Sequence, residues 1–100
     1  MMAKTFYSEY ITHCLHFYIN YPKPRTFRSK IDKENWISCD KAMNSFTEEQ
    51  RQILSSIYSS EDRISDRVYK VSKATNISPN IIWKWIGDLE RKVAIKRGLL

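Results

Sequence analysis

Val71-Ser-Lys-Ala-Thr-Asn-Ile-Ser-Pro-Asn-Ile-Ile-Trp-Lys-Trp-Ile86 is the stretch whose reading decides the fold. It reads as the end of one helix, a tight turn and the start of another. Asn76 marks the turn, because asparagine tolerates the left-handed backbone better than most residues with a side chain. Ser78 stands where its hydroxyl would accept from the first free amides of the next helix, and Pro79 suits that helix's first position. Ile82, Ile86 and Leu89 recur at helical spacing and leave Asn80, Trp83 and Lys84 off the buried stripe. The pattern predicts a helix-turn-helix whose second helix turns one side outward.

Upstream of this unit, Ile64, Val68 and Val71 stand at i, i+4 and i+7 and predict a short helix over roughly 64–74. Ser59-Ser-Glu-Asp62 separates it from a helix over about 48–59 that would bury Ile53, Leu54, Ile57 and Tyr58. Thr47-Glu-Glu-Gln50 fits a capping box for that helix, and Glu48 and Glu49 suit the positive end of its dipole. Asp32 is the expected cap of a helix over about 33–45, with Trp36, Cys39, Met43 and Phe46 on one face. Earlier still, Tyr7, Tyr10, Ile11, Cys14, Phe17, Tyr18 and Tyr21 follow three- and four-residue steps, which predicts a helix over 5–21 ended by Pro22 and Pro24. This aromatic stripe reads as core packing or as a surface for a partner or a second copy.

Downstream, the helix from 79 to about 96 would span roughly 27 Å at 1.5 Å per residue. Gly98 stops it, and Lys92, Lys96 and Arg97 complement its carbonyl end. Trp83 and Trp85 are two apart and do not share a face; Trp85 is expected in the core and Trp83 partly exposed. With two glycines and three prolines in 100 residues, little turn chemistry is left for a sheet. The expected architecture is all-α: a single small domain of about five helices over 1–100. Residues 1–45 would supply the N-terminal aromatic helices and a basic loop, and 46–100 the part ending in the helix-turn-helix.

The formal charge of +6 is unevenly placed. Lys23, Arg25, Arg28, Lys30 and Lys33 against Asp32 give residues 22–33 a charge of +4. Residues 61–100 hold nine basic and five acidic side chains, another +4, while 34–60 are net acidic. The excess therefore sits in one loop-like stretch and in the helix-turn-helix, as a polyanionic partner requires. Within the second helix, Ser78, Asn80, Ile81, Trp83, Lys84 and Gly87 are the candidate base-facing residues. Asn80 suits adenine, Lys84 guanine acceptors and Ile81 a thymine methyl. Gly87 fits either a close backbone or phosphate approach or tight helix–helix packing. Lys70, Lys73, Arg91 and Lys92 are candidates for phosphate contacts that position without reading sequence. The basic loop 23–33 reads as a second backbone contact or as a solvated connector.

Other chemistry finds little support. Cys14 and Cys39 stand apart without metal-type spacing and read as small buried hydrophobes in a reducing, cytoplasmic setting. No apolar run approaches transmembrane length. His13 and His16 share one helical face, but no thiol or carboxylate completes a ligand set, so no metal or other cofactor is expected. Neither a catalytic Ser/His/Asp or Cys/His arrangement nor a glycine-rich phosphate loop is present, and no enzyme is expected.

The C-terminal part carries a resemblance. Phe46-Thr-Glu-Glu-Gln-Arg-Gln-Ile-Leu-Ser-Ser-Ile-Tyr58, followed by the helix-turn-helix, resembles region 4 of bacterial sigma factors and the small ArpU-type regulators of phages and mobile elements. The closing Glu90-Arg-Lys-Val-Ala-Ile-Lys-Arg-Gly-Leu99 is similar to the tail of such phage proteins. The chain departs from that pattern with Asn76 where the turn usually has glycine, Ser72 at the small position and Thr75 for an apolar residue. The resemblance implies a transcription regulator that binds double-stranded DNA and also touches RNA polymerase, and because a single helix-turn-helix buries little DNA surface, a homodimer on paired half-sites is a natural form. A protein-interaction adaptor for polymerase or for phage DNA packaging is the alternative.

Overall fold

Five helices form where the periodicity places them in the computed structural model, which describes residues 6–21, 26–60 and 62–99. They are α1 (Ser8–Asn20), α2 (Lys30–Met43), α3 (Glu48–Tyr58), α4 (Ile64–Thr75) and α5 (Pro79–Lys96), and no strand occurs among the described residues. The protein is all-α. Lys23 and Arg25 of the basic loop, with Pro22 and Pro24, lie outside the described residues.

Three of the helix ends are set by specific local bonds. At α3 the capping box is complete: the Gln50 amide donates to Thr47 Oγ1 at 3.2 Å, and the Thr47 amide donates to Gln50 Oε1 at 2.9 Å. α5 closes in a Schellman motif, with the Leu99 amide donating to the Ala94 carbonyl at 2.8 Å and the Gly98 amide to that of Ile95 at 3.1 Å. Gly98 adopts φ 72°, the left-handed value that the motif needs and that glycine reaches without a Cβ clash. α2 starts earlier than expected. Its cap is Ser29, whose Oγ accepts from the Asp32 amide at 3.1 Å, so Asp32 is a first-turn acid and not the capping residue.

The core draws on all five helices. Ile11, Cys14 and Leu15 of α1 meet Cys39, Ala42 and Met43 of α2, Ile53, Leu54, Ile57 and Tyr58 of α3, Val68 and Val71 of α4, and Ile82, Ile86, Leu89, Val93 and Ala94 of α5. The stripe expected on α3 is buried in full. On α1 the stripe is rotated from the expected one: Leu15 is fully buried, whereas Tyr10 and Tyr21 are exposed. The aromatic steps misled because phenol rings satisfy both environments. Tyr10 stands at the rim and shares hydrogen bonds with the buried Asn35 amide. Trp36 is half-buried, with its indole N–H donating to the Tyr21 carbonyl at 2.7 Å.

α5 is the element the rest is built around, packing on α1, α2, α3 and α4. Burying an aliphatic side chain is worth about 1.5–3 kcal/mol. Ile82, Ile86, Leu89 and Val93 are all 0–1% exposed, so this stripe holds α5 in one rotational setting.

Candidate nucleic-acid interface

The turn between α4 and α5 is built from short polar side chains. Asn76 sits at φ 61°, ψ 24°, the left-handed conformation expected of it, and its amide donates to the Ser72 carbonyl at 2.9 Å. Ser72 Oγ donates across the turn to the Ile77 carbonyl at 2.7 Å, and Thr75 Oγ1 donates to the Val71 carbonyl at 2.7 Å. Ser72 and Thr75 thus brace the turn with side-chain hydrogen bonds. Ser78 behaves otherwise than expected: its hydroxyl makes no capping bond, and it is the Ser78 carbonyl that accepts from the amides of Ile81 and Ile82.

Successive helical residues are about 100° apart. With Ile82, Ile86, Leu89 and Val93 inward, Asn80, Lys84, Asp88, Arg91 and Ile95 point outward, and all five are exposed. Ser78 and Ile81 are exposed at the leading end, and Gly87 is half-buried at the margin of the outward face. Asn80, Lys84 and Arg91 fall within a narrow arc, an amide and two cations along one face of the helix.

The tryptophans flank Lys84 on opposite sides. Trp83 is half-buried, partly exposed as expected, but Trp85 is half-buried as well and packs at the core margin, not within the core. Trp83 leans toward α1 and the start of α4, lining a cavity of about 420 Å³ with Ser8, Thr12, Ile64 and Glu90. Of the candidate base-facing residues, it is the one turned toward the protein.

Tertiary contacts also sort the basic residues. Lys92 is half-buried; its ammonium donates to Ser45 Oγ at 2.8 Å and lies 4.6 Å from the centre of the Phe46 ring. Arg97 donates to Asn35 Oδ1 and pairs with Glu34 at 3.2 Å. Arg67 donates to the Ser56 carbonyl and hydroxyl, both at 3.1 Å. The nine basic side chains of residues 61–100 therefore include three anchored internally, while Arg63, Lys70, Lys73, Lys84, Arg91 and Lys96 stand exposed. Lys70 lies 3.7 Å from Asp62, an exposed pairing that water and salt keep weak. Lys73 lies 5.3 Å from the Tyr69 ring centre.

Two features are not evident from the sequence. Tyr69, 61% exposed beside Lys73, is a large aromatic on the outer face of α4; it falls just off the Val68–Val71 stripe, which was the available signal. Glu90 is only 6% exposed, and it accepts from Ser8 Oγ at 2.9 Å and from Tyr58 Oη at 3.0 Å. Burial raises its pKa above the usual carboxylate value, opposed by these hydroxyl donors, and burial with the facing Glu90 charge raises that of Tyr58. In the sequence Glu90 reads as one more charge near a helix end.

Among the described residues no group of three or more His, Cys, Asp or Glu could hold a metal ion. His13 is exposed, and His16 packs edge-on against Tyr58 with ring centres 5.8 Å apart. Cys14 and Cys39 are free and buried, and loss of hydration raises the pKa of both thiols. No described helix is long and apolar enough to cross a membrane. No protein-family model matches the chain, and neither a curated protein nor a solved structure matches it.

Proposed function

We propose that this protein is a small DNA-binding transcription regulator of the phage or mobile-element type, with no enzymatic activity, that places α5 in the major groove of double-stranded DNA. The observation that carries this reading is the outward arc of Asn80, Lys84 and Arg91 on a helix fixed by a left-handed turn at Asn76. Asn80 and Lys84 are the base-reading side chains, aided by Ile81 at the leading end. Arg91, Lys73 and Lys70 contact phosphates. Ser78 and Gly87 border that face, and Trp83 supports it from behind. Because one such unit covers little DNA, a homodimer reads operators with paired half-sites, while a single chain binds non-specific duplex. The resemblance to sigma factor region 4 makes RNA polymerase the second partner, and a cytoplasmic location follows from both.

A titration of end-labelled random duplex at low salt tests this. Binding at micromolar concentration or tighter is expected, weakening steeply with added salt. Arg91→Ala should reduce the log–log salt slope by about 0.9, the share of one phosphate no longer neutralised, and Lys84→Ala should lower affinity through the base contact it removes. Absence of binding at low salt would overturn the reading. It would favour the adaptor alternative, for which exposed Ile81 and Ile95 on the same face supply apolar contact area.

A further inference from the structure

The outer face of α2 carries a second basic surface that the α5 reading leaves unused. Lys30, Lys33, Ile37 and Lys41 stand at i, i+3, i+7 and i+11 and share one side of the helix, with all three lysines exposed. Asn35, Ser38, Cys39, Ala42 and Met43 occupy the opposite, buried side. Arg28 extends the row just ahead of the Ser29 cap. From Lys30 to Lys41 the ridge rises about 16 Å, which matches roughly five base steps of a nucleic-acid strand at 3.4 Å each.

Glu34 stands one turn from Lys30 and its charge is offset by Arg97, Asp40 is half-buried and accepts from Tyr18 Oη at 2.8 Å, and Asp32 lies off the ridge in the first turn. Lys30 and Lys33 edge an open cavity of about 780 Å³ that is also lined by Phe27, Ile37 and the Arg97-paired Glu34.

Direction matters as much as charge. α5 packs on α2 from its buried side, Arg97 just past the end of α5 reaches Glu34 and Asn35, and Lys92 reaches Ser45 beyond the end of α2. Its Asn80–Lys84–Arg91 face is therefore turned away from α2. The lysine ridge is in turn on the side of α2 remote from the core. The two basic faces thus look outward in different directions from a packed α2–α5 pair.

We propose that the Lys30–Lys33–Lys41 ridge binds the phosphate backbone of a second duplex segment, so that one chain bridges two stretches of DNA. This rests on the reading of α5 as the first duplex contact. The test uses the full chain with donor- and acceptor-labelled 20-base-pair duplexes, following energy transfer between them, with sedimentation to count chains per complex. Transfer from complexes of one chain and two duplexes is expected. Lys30→Gln/Lys33→Gln/Lys41→Gln should abolish the transfer, retain binding of a single duplex and leave the circular dichroism unchanged.

A chain that binds one duplex but never two overturns the ridge proposal alone. So does transfer that persists in the triple variant, or that requires two chains per complex. Single-duplex binding that is lost in the triple variant but untouched by Lys84→Ala/Arg91→Ala overturns the α5 reading instead. Ridge-dependent binding to phosphatidylserine vesicles without bridging would assign the ridge to a membrane surface and overturn the proposal as well.

Discussion

Replacing Glu90 with alanine should destabilise the protein by about 2–3 kcal/mol, for a reason particular to where its carboxylate sits. Glu90 joins α5 to α1 through Ser8 and to α3 through Tyr58. Tyr58 is fully buried, so its hydroxyl loses its partner with no water to replace it, a penalty of about 1–3 kcal/mol. Ser8 is half-buried and recovers a hydrogen bond from solvent. Losing one buried methylene adds roughly 0.8 kcal/mol, and relieving the burial of the carboxylate offsets part of the total. At roughly 4–8 °C per kcal/mol for a domain of this size, the melting temperature should fall by about 8–24 °C. A double-mutant cycle with Tyr58→Phe, read by urea unfolding, isolates the link. In the Tyr58→Phe background no hydroxyl is orphaned, so Glu90→Ala should cost about 1–2 kcal/mol less than in the native chain. Equal costs in the two backgrounds would refute the argument that the Tyr58 hydroxyl carries the penalty.

Three further outcomes are expected. A carboxyl whose folded pKa lies above its unfolded value binds its proton more tightly when folded, so its contribution is complete below the unfolded pKa and is lost as pH rises through the folded one. The stability of the native chain relative to Glu90→Gln should therefore increase as pH is lowered from 7 toward 4.5, and a gap constant over that range in chemical unfolding would contradict it. Asn76→Val should destabilise by about 1–2 kcal/mol, because a branched side chain resists φ 61°, whereas Asn76→Gly should be tolerated to within about 1 kcal/mol; equal losses by calorimetry would show that the turn does not depend on that conformation. Lys92→Ala should lower stability by about 0.5–1 kcal/mol through the Phe46 contact yet leave the salt slope of duplex binding unchanged, whereas Arg91→Ala should do the reverse, as paired unfolding and titration curves would reveal.

Much of the architecture is local in origin, and local origins are legible. Thr47 and Gln50 fix the start of α3 through bonds three residues apart, Asn76 sets the turn through its own backbone preference, and Gly98 ends α5 in the same way. The stripes on α3, α4 and α5 could be read because aliphatic residues have one preferred environment. Tyr10 and Tyr21 could not be placed, since a phenol is at home on either side of a surface. Ser29 and Asp32 both suit an N-cap, and the choice between them turned on where α2 begins.

Of the candidate interface, the sequence by itself determined which residues lie on the outward arc of α5, because the buried stripe leaves Asn80, Lys84 and Arg91 no other side. Only the tertiary structure decided which charges remain exposed. Lys92 and Arg91 are adjacent in the chain and equal in charge, yet one lies over Phe46 and the other faces solvent. Glu90 likewise became a buried junction of three helices because Ser8 and Tyr58, 82 and 32 residues away, converge on it. Helical period is written in neighbours a few residues apart; the partner of a charge is chosen by whichever distant helix packs beside it.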